Sequence, residues 1–442
     1  MNIITRFAPS PTGLLHAGNY RTALFSYIFA RQNNGQFILR IEDSDRNRSK
    51  KEYEDNIIES LKWLNLSYDS FYRQSDRANI HRTAIQRLID TGFAYISKEV
   101  PKEEGERTEV IRFKNPNKKV SFVDLIRGKI ETDTTEQGDF VIARGLDEPV
   151  FHLAVVVDDN DMGVTHIVRG EDHISNTARH ILIYEAIGYT VPKYAHVPLL
   201  MSPDRTKLSK RKGALPITEY RSQGYLPEAV VNYLAMLGWN PGDERELFTL
   251  ADLIKLFNLE KVQKAGAIFD IEKLNWYNRQ YIIKLSSEKF AEVIKSFMPT
   301  WIDSASSLFV RILPTIQEKI VKLGEVGPLL ETGGELAFIR SLPDFPVDLI
   351  PWKKNPSREV ATKHLVYVKE KLSSIESSNF TSTNIKNALW DYAEKEGRGD
   401  VLWPLRVALT GQEKSPDPFV SAYILGREEA LRRIDCALDK LR

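Results

Sequence analysis

Residues 7–19, Phe-Ala-Pro-Ser-Pro-Thr-Gly-Leu-Leu-His-Ala-Gly-Asn, leave the backbone few choices. Just upstream, Ile3 and Ile4 begin an apolar, β-prone run that reads as a short buried strand. Two prolines and Gly13 end it, since neither strand nor helix continues through them. After Gly18 the residues Tyr20, Ala23, Leu24, Tyr27 and Ile28 recur at helical spacing. The segment is strand, tight loop, helix, with His16 and Gly18 at the helix mouth. Oriented backbone N–H groups and the positive end of the helix dipole favour phosphate there. A histidine at that point donates to a phosphoryl group as charge builds on it, and Gly18 lets a nucleotide lie against bare backbone. The plainer reading is a Pro/Gly loop holding one structural histidine. Gly13 and Gly18 have the glycine spacing of a P-loop, but Asn19 and Tyr20 stand where Lys and Ser/Thr are required, and no G-x-G-x-x-G is present.

The alternation continues downstream. Residues 36–42 form a second strand ending on Glu42, Asp43 and Asp45, and the next helix presents Ile57, Ile58, Leu61 and Leu64 on one face. This spacing argues a parallel sheet with right-handed crossovers, with ligands at the carboxyl ends of the strands, where residues 7–19 and Glu42 both fall. Residues 78–149 change character: a helix around 82–90, then short strands at 94–96, 109–113, 120–126 and 139–143. They read as a small mixed domain inserted into the sheet. At 150–215 the sheet resumes. Residues 153–157, Leu-Ala-Val-Val-Val, read as a strand buried on both faces, 165–169 and 194–201 as strands, and 175–187 as a helix. Residues 158–163, Asp-Asp-Asn-Asp-Met-Gly, invite a calcium loop, but Met162 and Arg169 stand where an oxygen ligand and the closing Glu belong. The stretch reads as a solvated acidic turn.

Beyond 215 the strands largely stop. Pro227 opens a helix with Val230, Val231, Leu234 and Leu237 on one face, and Thr249-x-x-Asp252 is a capping box. Further helices are expected at 270–281, 287–297 and 427–441, with a loop marked by Pro343, Pro346, Pro351 and Pro356 and a polar connector at 373–383. The fold class is α/β: a Rossmann-like parallel-sheet domain (1–77 and 150–215) with an inserted mixed α/β domain (78–149), followed by helical regions at 216–286 and 287–442.

At 442 residues the chain is too long for one core. A net charge of +1 gives no global hint of a polyanionic partner, so any RNA binding must rest on local basic faces. One cysteine, Cys436, excludes an internal disulfide and a multi-thiolate zinc site. His152, His166, His173 and His180 fit no zinc spacing and read as strand or cap residues. No apolar run approaches the ~18 residues of a membrane span, and no signal-peptide pattern opens the chain, so the cytoplasm is the expected compartment.

Residues 7–19 resemble the first signature of class I aminoacyl-tRNA synthetases, the His-x-Gly-His type, with Asn19 in the second histidine's place. Asn donates a hydrogen bond but carries no charge, which makes His16 the firmer catalytic candidate. Residues 21–25, Arg-Thr-Ala-Leu-Phe, and 39–46, Leu-Arg-Ile-Glu-Asp-Ser-Asp-Arg, resemble bacterial-type glutamyl-tRNA synthetases in particular. Residues 207–211, Lys-Leu-Ser-Lys-Arg, are similar to the second class signature, Lys-Met-Ser-Lys-Ser. The likeness takes in Val-Arg-Gly-Glu-Asp-His at 168–173. It is dense over 1–75 and 150–285, thinner in the insertion and from 290 to 400.

That resemblance implies a two-step reaction. Glutamate's α-carboxylate attacks the α-phosphate of ATP, giving glutamyl-adenylate and pyrophosphate, and the terminal ribose of tRNA(Glu) then takes the glutamyl group. Adenylate formation is expected to need tRNA. The resemblance assigns catalysis to His16, Lys207 and Lys210. It assigns ATP to Pro9, Thr12, Gly13, His16, Gly18, Asn19, Leu208, Ser209, Lys210 and Arg211, and L-glutamate to Arg6, Ala8, Ser10, Glu42, Phe151 and Arg169. A buried arginine pairs bidentately with a carboxylate in a way a neutral amide cannot reproduce. Against these stand plainer readings: a solvated basic loop at 205–212, a surface ion pair for Arg6 or Arg169, and a helix-capping carboxylate for Glu42. Phe151 replaces a usual tyrosine. Magnesium is expected to arrive with ATP, with no protein-bound zinc. The insertion would bind the acceptor stem, though shortened and without the cysteines some members use for zinc; 216–286 would contact the stem and 287–442 the anticodon. A monomer with no membrane partner is expected. Charging of tRNA(Gln) as well turns on a few anticodon contacts. The rivals are a glutamyl transferase modifying tRNA queuosine, which normally lacks the helical C-terminal domain, and a catalytically silent tRNA-binding paralogue.

Overall fold

The computed structural model describes residues 2–99, 108–206, 208 and 215–442. They form two compact units, Met1–Asn278 and Arg279–Arg442. In the first, β1 (Ile4–Phe7), β2 (Gln36–Ile41) and β3 (Ser70–Arg73) lie parallel in that order, linked by α1 (Ala17–Gln32) and α2 (Lys51–Trp63). Helix α3 (Ala78–Asp90) leads into β4 (Ala94–Lys98), β5 (Glu109–Phe113), β6 (Lys119–Asp124), β7 (Gly128–Asp133) and β8 (Phe140–Ala143). Strands β4, β5 and β8 make a small antiparallel sheet. The β6–β7 hairpin, read from sequence as a single strand, turns at residues 125–127.

After the insertion come α4 (Phe151–Asp161), β9 (His166–Gly170), α5 (Ile174–Ile187) and β10 (Lys193–Val197). Strand β10 pairs in parallel with β9 and, through Tyr194 opposite Asp124, with β6. The inserted hairpin therefore extends the main sheet. At the opposite edge of this group, Thr165 N donates to Ile4 O at 3.0 Å and Ile4 N to Thr165 Oγ1 at 2.9 Å, setting β9 beside β1. Strand order runs outward from β1 to β3 on one side and from β9 to β10 on the other. In sheets of this kind a crevice opens beyond the carboxyl ends at such a reversal.

Two expectations for this region fail together. Residues 153–157 are helical, within α4, and every side chain from Leu153 to Val157 is buried. A helix apolar on all sides shows no 3.6-residue stripe, so a β-branched run conceals it. The real signal is Gly163, at φ +67°, closing the helix with bonds from Gly163 N to Asn160 O and from Val164 N to Asp159 O. The acidic stretch is likewise no solvated turn. Asp158 and Asp159 occupy the last turn of α4 and are fully buried.

Their counter-charges come from across the unit. Arg40, fully buried on β2, places Nη1 2.6 Å from Asp159 and Nη2 3.0 Å from Glu42. Asp158 accepts from Arg77 Nε at 2.7 Å and Gln74 Nε2 at 2.8 Å, and lies 2.8 Å from His81 Nε2. Burial alone would lift the Asp158 carboxyl, but His81, Arg40 and Gln74 outweigh it and hold it below the usual carboxylate range.

The first unit continues through α6 (Ile217–Ser222), α7 (Pro227–Met236) and α8 (Leu250–Leu256); Thr249 and Asp252 form the capping box that heads α8. Helix α9 spans Ile271–Lys284. In the second unit, helices Arg358–Ser373, Ser382–Glu396, Arg398–Thr410, Pro418–Leu425 and Arg427–Leu441 pack around a core that includes Leu365, Leu389, Leu405 and Ile434.

Removing one partner from a buried ion network leaves uncompensated charge. Arg40→Met is expected to destabilise the N-terminal unit by roughly 3–5 kcal/mol, seen as a lowered urea midpoint. A midpoint unchanged from wild type would contradict the network's assigned weight.

Candidate active site

A cavity of about 380 Å³ opens where the strand order reverses. Its lining brings together Arg6, Ala8, Pro9, Ser10, His16, Gly18, Asn19, Glu42, Phe151, Arg169 and Leu208, all candidates from sequence. Thr12 and Gly13 do not line it: Thr12 is exposed and an added Cβ at Gly13 would meet nothing within 4 Å, because the loop turns outward there. Lys207, Ser209, Lys210 and Arg211 lie outside the described residues. Their flanks are held at the cavity, with Leu208 N bonded to Leu200 O at 2.9 Å and Pro216 bridged to His16. Glu42 N bonds Pro9 O at 3.0 Å, clamping the first loop to the end of β2.

At the phosphate-favouring end, His16 is the N-cap of α1. Its Nδ1 accepts from Gly18 N at 3.0 Å, and Asn19 Oδ1 accepts from His16 N at 3.2 Å, which completes a capping box. The backbone N–H groups of His16 and Gly18 are thus already engaged. With Nδ1 accepting from Gly18 N, the neutral ring carries its proton on Nε2, at the positive end of the helix dipole. Gly18 has a second reason to be glycine: a Cβ there would sit 2.9 Å from His16 Cε1.

At the other end are two buried guanidinium groups and a carboxyl. Arg6 spends Nε on Asp159 at 3.2 Å, and its two terminal nitrogens have no partner among the described residues. Arg169 donates to His196 Nε2 (3.2 Å), His180 Nδ1 (3.2 Å), Thr177 Oγ1 (2.9 Å) and His173 O (3.4 Å); none of these is a carboxylate. Burial pulls the Arg169 guanidinium down to about 10, still charged near neutrality. Glu42 is pushed above the ordinary carboxylate range by burial, against the pull of Arg40 and Arg6.

The ring nitrogens that face Arg169 belong to neutral histidines. Burial lowers His196, carries His180 well below its ordinary value, and takes His152 and His173 to about 4. His152 and His180 sit on helices α4 and α5, neither on a strand nor at a cap, with His152 Nδ1 3.2 Å from His180 Nε2. The Phe151 ring lies among His152, His173 and His180, at centroid distances of 5.5 to 5.7 Å.

Sequence reading missed Asp159, His180, His196 and Arg21. Arg21 lines the cavity while donating to the carbonyls of Leu237 and Pro198, and burial pulls it down to about 9. The available signal was an arginine inside an apolar strand, as at Arg40, which demands a carboxylate elsewhere.

The chain matches the family model described as tRNA synthetases class I (E and Q), catalytic domain, over residues 2–109 and 97–276, and the anticodon binding domain over 289–438. It is 40% identical to a glutamate–tRNA ligase of Aquifex aeolicus, with 99% of each chain covered, and 39% identical to one of Carboxydothermus hydrogenoformans, covering 97% of this chain and 98% of the relative. Among solved structures it resembles the glutamate tRNA ligase of Elizabethkingia meningosepticum in complex with its amino acid, at a TM-score of 0.88 and 32% identity with both chains fully covered.

The neutral histidines give stability a pH signature. Their native affinity for protons is depressed, so the penalty is absent above the free value near 6.5 and grows as pH falls toward 4. Thermal unfolding is expected to move to lower temperature across that window, with His152, His166 and His173 together contributing roughly 2 kcal/mol or more. A flat profile from pH 6.5 to 4 would rule this out.

Proposed function

This chain belongs to the class I tRNA synthetases for glutamate and glutamine, and within them to the glutamate–tRNA ligases; from that premise we propose how its cavity does the work. The enzyme joins glutamate to tRNA. The observation that carries the site assignment is charge: of the three buried arginines that line the cavity, Arg21 is engaged with the carbonyls of Leu237 and Pro198, which leaves the guanidinium groups of Arg6 and Arg169 together with the buried carboxyl of Glu42. A zwitterion with a second carboxylate is the complement of that set. Arg169 and Arg6 take carboxylate oxygens, Glu42 faces the ammonium group, and Ala8, Ser10 and Phe151 line the space between. Glutamine in place of glutamate leaves a buried guanidinium without its counter-charge, a penalty that can reach roughly 10⁴-fold.

ATP lies at the mouth of α1, against Pro9, Gly18, Asn19 and Leu208. An oxygen of the substrate's α-carboxylate attacks the α-phosphorus, the bond to the bridging oxygen breaks, and pyrophosphate leaves. No protein nucleophile is used; alignment and neutralisation of the developing charge supply the rate. His16 Nε2–H serves one side. Lys207 and Lys210 serve the other, and magnesium enters with the triphosphate. In the second step the terminal ribose hydroxyl of tRNA(Glu) attacks the mixed anhydride and AMP leaves. The segment 78–149 grips the acceptor end, 216–286 contacts the stem, and 287–442 reads the anticodon of a tRNA bound to a single copy of the enzyme. The anticodon binding domain over 289–438 favours this reading over the queuosine-modifying transferase.

ATP–pyrophosphate exchange with glutamate and tRNA tests the assignment. Arg169→Ala is expected to lower kcat/KM for glutamate by about 10²–10⁴, and Lys210→Ala to lower kcat by about 10²–10³. Near-wild-type exchange in both variants defeats the site assignment, and equal exchange with aspartate or glutamine defeats the substrate assignment.

A further inference from the structure

Three of the side chains that hold Arg169, those of Thr177, His180 and His196, do not line the cavity, and one chain of them leads into the inserted segment. His196, fully buried on β10, does not line the cavity, and neither does Asp124 at the end of β6. Asp124 Oδ2 accepts from His196 N at 2.9 Å and lies 2.7 Å from His196 Nδ1. Its other oxygen accepts from Ile126 N at 2.9 Å and Arg127 N at 2.8 Å. A carboxylate surrounded by donors is an acceptor only, so Nδ1 of His196 carries the ring proton and Nε2 is left as a bare lone pair. That lone pair faces Arg169 Nε at 3.2 Å and Thr177 Oγ1 at 3.1 Å.

The opposite tautomer would set an N–H against the N–H of Arg169 and push the guanidinium aside. A carboxylate in the place of His196 would hold Arg169 equally well, but it would also neutralise the charge. An imidazole backed by a carboxylate does the first without the second.

We infer that Asp124 and His196 are positioning residues for Arg169: they fix its guanidinium with a neutral acceptor, keeping its charge for an anionic substrate side chain and thereby setting the preference for glutamate over glutamine. The inference rests on the reading of Arg169 as a glutamate-binding residue. It gives the inserted segment a part in amino-acid recognition through β6, separate from any contact with RNA.

The test is ATP–pyrophosphate exchange in the presence of tRNA on the full chain, comparing wild type with His196→Leu, His196→Gln, Asp124→Asn and the double variant His196→Gln/Asp124→Asn. His196→Leu removes the acceptor and is expected to raise KM for glutamate by about tenfold or more, to shrink glutamate-over-glutamine discrimination by a similar factor, and to leave KM for ATP within about twofold. His196→Gln offers an amide oxygen near the place of Nε2 and is expected to restore most of the loss. Asp124→Asn, which cannot accept all four donors, should resemble His196→Leu. In the glutamine background the same change should add little, because an amide has no tautomer to set; this pair keeps the test decisive should His196→Leu fold poorly.

Unaltered KM for glutamate and unaltered discrimination in His196→Leu overturn the inference while wild-type activity stands. A loss shared equally by glutamate and ATP, and not relieved by glutamine at 196, overturns it in favour of packing alone. Absence of glutamate-dependent exchange in the wild type, under conditions that support a homologous ligase, would sink the functional reading and this inference with it.

Discussion

A guanidinium buried in an apolar strand is the demand around which the N-terminal unit is arranged. Arg40 sits in β2 with no solvent access, and desolvation of a lone cation there would exceed what the strand's own burial returns. Asp159 and Glu42 meet that demand, and Asp159 brings the last turn of α4 against β1 and β2. Asp159 also takes Nε of Arg6, so the same carboxylate settles which atoms of Arg6 are left for the cavity. Such a network contributes little net stability relative to well-packed apolar residues. What it fixes is position: the helix that carries Phe151, and the strand end that carries Arg6, share one set of charges.

Arg169 follows the opposite rule. Its surroundings are neutral ring nitrogens, a hydroxyl and a carbonyl, so it is oriented as tightly as Arg6 yet keeps its charge uncompensated. Burial has already reduced its basicity to about 10. A carboxylate arriving beside it recovers electrostatic energy that a neutral amide cannot, in surroundings where water does not screen the difference. On the proposed reading of Arg169 as a glutamate-binding residue, discrimination by charge depends as much on which groups are withheld from it as on those that hold it.

How much of this was legible follows from how local each signal is. The strand–loop–helix at the start of the chain was readable because prolines, Gly13 and a helical apolar stripe act within a few residues. The cavity's roster from Arg6 to Arg169 was readable through family signatures. Helix α4 was hidden because burial on every side erases periodicity, and the one local clue, Gly163, was taken as part of an acidic turn. Asp158 and Asp159 look solvated in isolation; only Arg40, Arg77 and His81, far away in the chain, make them interior residues. The histidines at 152 and 180 were misplaced as strand or cap residues, since their shared contact depends on two helices meeting.

The departure from the class signature at Asn19 has a local physical account. The third residue of α1 must supply an acceptor for His16 N, and Asn19 Oδ1 does so at 3.2 Å. An amide offers an oxygen with two lone pairs at any pH, whereas a histidine accepts there only through an unprotonated ring nitrogen. In return, His16 is free to use Nδ1 on Gly18 N, and that choice puts its proton on Nε2. The exchange of a histidine for an asparagine thus removes a possible charge from the site and makes the tautomer of the remaining histidine independent of pH in the range where the ring is neutral. A substitution that weakens the signature as a pattern strengthens the cap that orients the imidazole of His16.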